Sequence, residues 1–219
     1  MDNLTSPQYK RVISEIGSLQ WTTLDSPDLN AVATAYYYFS IQFRENLTIA
    51  VSMFPEDEKL QHLMTEECDT ANLSPWPSVA VPGERMNHDE FMRRALLLSP
   101  LPPGAMDAAN IAGQIYLQKS RGYTPEVRAL SIGSYEDGGL ETTFRAMLTA
   151  PEWDTEALHA FRHFLIEHIR FDHDPDHGHG ALSRHLRADD RVLPLWEDFR
   201  DLLICAVPHL AARVQCQVF

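Results

Sequence analysis

Cysteine is scarce in this chain. Three in 219 residues, Cys68, Cys205 and Cys216, are too few and too scattered for a disulfide framework or a zinc ribbon, and they read as reduced thiols. Long apolar runs are missing as well: no stretch approaches the roughly 18 to 20 uninterrupted apolar residues that a membrane helix needs. The opening MDNLTSPQYK carries no signal-peptide core. A cytoplasmic protein with no membrane partner is the expectation. Basic residues are in deficit, 18 Lys and Arg against 31 Asp and Glu, for a formal net charge of −13. That balance repels a phosphate backbone, and no basic stripe interleaved with aromatics reverses it locally, so nucleic acid is not an expected partner. Strand signals are thin too, with no long alternating run and no Asn-Gly or Asp-Gly turn flanked by β-branched residues, although Asp137-Gly138-Gly139 interrupts one segment.

What the chain does have is helical spacing. Apolar residues recur at steps of three and four over residues 6–20, 27–53, 55–69, 87–98, 105–119, 124–149 with a weak point at the paired glycines, 154–173 and 191–214. Prolines fall at the joints, since proline fits a first helical turn but not an interior. With 44% hydrophobic and 22% charged residues, the expectation is one all-α domain spanning residues 1–219 around one core. The proline-rich stretch from Asn72 to Asn87 is the longest loop; such a loop in a compact domain is more often functional than idle, and it reads as a lid.

Seven of the ten histidines lie between His159 and His185. Leu158, Phe161, Leu165, His168 and Asp172 follow at steps of three and four and share one face, so the last two extend an apolar seam into the core. Buried on adjacent turns, they need a partner or a metal. His159 and His163 lie off that seam and read as solvated or flanking. After Asp172, Pro175 breaks the helix and leaves His173, His177 or His179 as a further ligand, with His177 preferred. Upstream, Glu136 interrupts the stripe Ala129, Ile132, Leu140, Phe144, Met147. Either Glu66 or Glu67 faces inward, the period not separating them, and His88 heads the stripe Phe91, Met92, Ala95, Leu96.

This inventory of three carboxylates and three imidazoles suits iron or manganese better than a structural zinc, and helical bundles hold two such ions between facing helices. Plain alternatives exist for each member, from a solvated helix end to an exposed glutamate beside a glycine kink. Tyr36, Tyr37, Tyr38, Phe39 and Phe43 fit a pocket wall or ordinary core. Arg121 or Arg128 could hold a substrate carboxylate, and Glu45, on a seam with Tyr38, Ile41 and Ile49, could be an extra ligand or a proton-handling group.

The succession of a glutamate in LMTEEC, His88 ahead of FMRRAL, Glu136 in SIGSYED, and His168 with Asp172 in EHIRFDHDPDHG resembles the heme-oxygenase-like diiron oxidases, relatives of the TenA-like proteins, over about residues 36–186. The resemblance implies an all-α, heme-oxygenase-like (TenA-like) helical bundle. It implies Glu66, His88, Glu136, His168, Asp172 and His177 as ligands of two iron ions cycling between Fe2+ and Fe3+, with Glu136, His168 and Asp172 catalytic and dioxygen as co-substrate. A leucine three residues before the glutamate in the family pattern favours Glu66 over Glu67. Two departures stand out: Pro175 occupies the place where the family often carries its last histidine, and the gap from Glu66 to His88 is long.

The implied activity is N-oxygenation or oxidative C–C cleavage of a small amino-acid- or amine-derived metabolite in a biosynthetic pathway, with an external reductant and a homodimer as companions. The rivals are a metal-free TenA-like hydrolase, for which no cysteine or serine stands beside the inward histidines and acids, and a non-catalytic binding or regulatory bundle whose acids and histidines form a satisfied polar network.

Overall fold

The computed structural model describes residues 6–67, 76–172 and 182–211. Its elements are α1 (Gln8–Gly17), α2 (Ser26–Met53), α3 (Glu58–Glu66), α4 (His88–Leu97), α5 (Pro103–Arg121), α6 (Pro125–Ser134), a π-helical turn (Tyr135–Gly139), α7 (Leu140–Met147), α8 (Glu156–Asp172) and α9 (Leu193–Ala206), with short 3-10 turns between some of them. The all-α expectation holds, and no β-strand occurs among the described residues. No helix among them is long and apolar enough to cross a membrane.

The starts of these helices follow from local chemistry. Asp25 opens α2 with a capping box: its carboxylate accepts the Asp28 amide at 2.9 Å, Asp28 accepts the Asp25 amide at 3.3 Å, and Pro27 fills the first turn. Asp57 opens α3 by accepting the amides of Lys59 and Leu60 at 3.1 and 3.2 Å. The last helix ends earlier than its apolar pattern predicts, at Ala206. Pro208 cannot continue it, Val207 before the proline is pushed to φ −137°, ψ 87°, and a 3-10 turn follows.

The 28-residue α2 is the axis of the bundle; α3, α4, α5, α6, α8 and α9 all pack on it. Being surrounded, it buries polar as well as apolar side chains. Gln42 is fully buried and accepts the Tyr116 hydroxyl at 3.1 Å while donating to the Tyr135 hydroxyl at 3.2 Å. Burial pushes both phenols above their ordinary range, so they remain neutral. One turn on, Asn46 donates to Ser131 Oγ at 2.9 Å and accepts from Arg128 Nε at 2.7 Å. Each such buried amide demands its partners and thereby fixes the register of α2 against α5 and α6.

Arg128 also donates to Glu45 at 3.0 Å, and Arg121 grips the same carboxylate at 2.6 to 3.2 Å. Glu45 thus sits in an ion-pair network that joins α2, α5 and α6, with Arg121 half-exposed and Arg128 buried, and none of the three lines the cavity described below. Burial raises the Glu45 carboxyl, but Arg121 and then Arg128 more than offset it and hold it below its ordinary 4.5. A carboxyl held low in the folded state adds stability above its unfolded pKa, and this is lost as pH falls through the folded value. Stability should therefore decline on acidification below about pH 4.5, and a Glu45→Gln chain should lose part of that slope; chemical denaturation at pH 3 to 6 measures it.

The described part of the proline-rich loop is not a free lid. Val79, Ala80 and Met86 are buried, Arg94 of α4 donates to the Val79 carbonyl at 3.1 Å and to Glu84 at 2.8 Å, and Trp76 stacks on His163 with ring centres 4.9 Å apart. With Val79, Ala80 and Met86 buried and its backbone bonded to Arg94, this described segment packs on the bundle, leaving Val81 exposed.

Candidate active site

One cavity gathers most of the residues that seam spacing points inward. Tyr36, Ser40, Phe43, Arg44 and Leu47 line it from α2, Met64 and Glu67 from the end of α3, Asn87 and His88 from the start of α4, Glu136 and Leu140 from the π turn and α7, and His168 from α8. Its volume is about 20 Å³, slightly more than the ~10–15 Å³ that one water requires.

Glu136 reaches it through an irregularity of the backbone. In the π turn, Asp137 takes φ −81°, ψ 44° and Gly138 takes φ 84°, a left-handed value that glycine tolerates without strain. Gly139 is needed for a different reason: a Cβ there would lie 2.4 Å from the Ser134 carbonyl and 2.6 Å from the Trp196 ring. Trp196 itself is held, its indole N–H donating to Ser134 Oγ at 3.0 Å. π turns inside helices frequently mark functional positions, and this one carries the carboxylate of the seam.

His168 stands on the buried face of α8 with Leu158, Phe161 and Leu165. Its Nδ1 lies 3.0 Å from the Phe164 carbonyl oxygen. A carbonyl only accepts, so this nitrogen carries the proton, and in the neutral ring Nε2 presents a bare lone pair. That Nε2 is 3.2 Å from His88 Nδ1, which is 2.8 Å from Glu67 Oε2. His88 Nδ1 must supply the proton in both contacts. Its other nitrogen, Nε2, is buried and has no hydrogen-bond partner. His88 is placed by Asn87, the N-cap residue of α4, and by the loop that Arg94 fastens to that helix.

Of the two candidate glutamates, Glu67 lines the cavity. Glu66, favoured by the resemblance, does not line it: it is half-buried, with its Oε1 3.7 Å from His62 Nε2. Glu67 stands seven residues after Leu60 and four after Leu63, both fully buried, whereas Glu66 is rotated about 100° off that line. Asp172 closes α8; its side chain, and His173, His177 and His179, lie outside the described residues. His159 is exposed and His163 half-buried, as their spacing predicts. Tyr36 and Phe43 line the cavity, while Phe39 belongs to the core and Tyr38 bonds Asn110 at 2.9 Å. Arg44, Ser40 and Asn87 were not singled out by spacing, because a half-exposed or small polar residue leaves no break in an apolar stripe.

Among the described residues, no three histidine, cysteine or acidic side chains stand in a metal-holding arrangement; Glu67, His88 and His168 are closed on one another by hydrogen bonds. Their chemistry nevertheless fits a metal of the iron or manganese type, being carboxylate and imidazole without thiolate. Ligand histidines characteristically give their second ring N–H to a carbonyl or carboxylate, which is the His168–Phe164 contact. The buried and partnerless Nε2 of His88 is a cost that a metal or water would relieve. Compared with known proteins, the chain matches no family model, no curated protein and no solved structure.

Proposed function

We propose that this chain is a heme-oxygenase-like, non-heme diiron oxygenase or oxidase that activates dioxygen to oxidise a small amino-acid- or amine-derived metabolite. The observation that carries the reading is the convergence of Glu67, His88, Glu136 and His168, from four separate segments, on one interior cavity. Glu67 takes the place first given to Glu66, and Asp172 and His177 complete the proposed set. Two iron ions held there would supply electrons to dioxygen and return to Fe(II) at the expense of an external reductant.

The side chains have separate tasks. His168 is kept from rotating by its bond to the Phe164 carbonyl, so its lone pair faces the cavity permanently. Glu136 and Glu67 bring negative charge that offsets a cationic centre. Tyr36, Phe43, Leu47, Met64 and Leu140 form the apolar part of the lining, which limits water and strengthens the electrostatics inside.

Anaerobic titration with Fe(II), followed by admission of dioxygen, tests the proposal. The expected result is about two iron atoms per chain and an O2-dependent change in visible absorption. A chain that takes up no iron overturns it in favour of a hydrogen-bonded polar network.

A further inference from the structure

Among the described residues, one cation lines the cavity, and it is neither Arg121 nor Arg128. It is Arg44. Its guanidinium grips Asp89 with a fork, Nε at 3.1 Å from both carboxylate oxygens and Nη2 at 2.8 Å from Oδ2. Asp89 belongs to the first turn of α4, next to His88. The arginine side chain is 41% exposed and the aspartate 14%, so the pair sits where the cavity meets solvent.

We propose that Arg44 is the recognition group for a carboxylate on the substrate, and that Asp89 holds the guanidinium in place until that carboxylate displaces it. The inference rests on the oxygenase reading for its link to turnover, but the binding it describes does not need iron. A guanidinium fork matches a carboxylate edge to edge, as its grip on Asp89 displays. On exchange the half-exposed guanidinium keeps a carboxylate partner, and the cost of the swap falls on Asp89, which is 14% exposed. Arg128, by contrast, is buried against Asn46 and Glu45 and could not leave without stranding them.

Charge points the same way. The cavity holds Glu67 and Glu136 in a chain of net charge −13, a field that repels an anion unless a cation stands at its entrance.

Binding of straight-chain monocarboxylates of two to eight carbons, each compared with its uncharged amide, tests the inference by ligand-observed NMR on the metal-stripped protein. At least one acid should bind tenfold or more better than its amide. Arg44→Gln should remove that difference, and Asp89→Asn should tighten acid binding several-fold by removing the competing carboxylate, with melting curves confirming that both variants are folded. No preference for any acid over its amide, an Arg44→Gln chain that keeps the preference, or weaker binding in Asp89→Asn overturns the inference. Iron uptake is measured separately, so a chain that selects acids but takes no iron retains this inference and loses the oxygenase reading, and the converse result does the reverse.

Discussion

Under the proposed diiron reading, a His168→Ala chain should fold and lose its capacity for iron. Removing a residue that merely orients a ligand lowers metal affinity by about 10- to 100-fold; removing the nitrogen donor itself should exceed the upper figure. The substitution also deletes a ring packed 4.1 Å from Phe164 and 5.8 Å from Phe144, measured between ring centres, at a cost of about 2–3 kcal/mol. The melting temperature should fall by roughly 5–10 °C. His163→Ala provides the control, since that ring stacks on Trp76 outside the cavity; it should leave iron stoichiometry unchanged. Calorimetric Fe(II) titration of the three chains reads the difference. Equal uptake by the wild type and His168→Ala would remove His168 from the centre.

Gly139→Ala should be strongly damaging to both the fold and the site. Its Cβ would meet the Ser134 carbonyl and the Trp196 ring at distances that real atoms do not adopt, and neither neighbour can give way. The carbonyl is helix backbone, and the indole is buried and tied to Ser134 Oγ. The strain would be relieved by reshaping the π turn, which carries Glu136 on the same five residues. A loss of about 3 kcal/mol is expected, together with weaker iron binding. Gly138→Ala has open space around its Cβ but a positive φ, so it should cost only about 1–2 kcal/mol and leave iron binding nearly intact. Paired melting curves and iron titrations separate the two; equal stability of both variants would show that the close approach at Gly139 is not what shapes the turn.

Much of this architecture can be read from spacing. The seams through Leu158 and His168, and through Ala129 and Glu136, are buried along their described lengths, because a 3.6-residue period records which face touches the core. The π turn is invisible to that reading: its wider winding keeps Glu136 and Leu140, four apart, on one face, so the apolar rhythm passes through undisturbed. What the sequence did offer there was the glycine pair. Gln42 and Asn46, although they lie on the stripe Ala35, Phe39, Ala50, are not legible from spacing, because helix α2 is packed against six others and these polar residues answer to hydroxyls and an arginine on other helices. Such pairings depend on tertiary neighbours. The same is true of Glu45, whose seam position was correct in period and misleading in consequence, the two arginines arriving from α5 and α6.

Asp57 is a pivot. One of its oxygens caps α3, while the other receives His185 Nε2 at 2.5 Å, from a segment more than a hundred residues downstream. At the far end of the same short helix, about 14 Å away at 1.5 Å per residue, stands Glu67. Helix α3 thus ties the surface pair of Asp57 and His185 at one end to a cavity-lining carboxylate at the other.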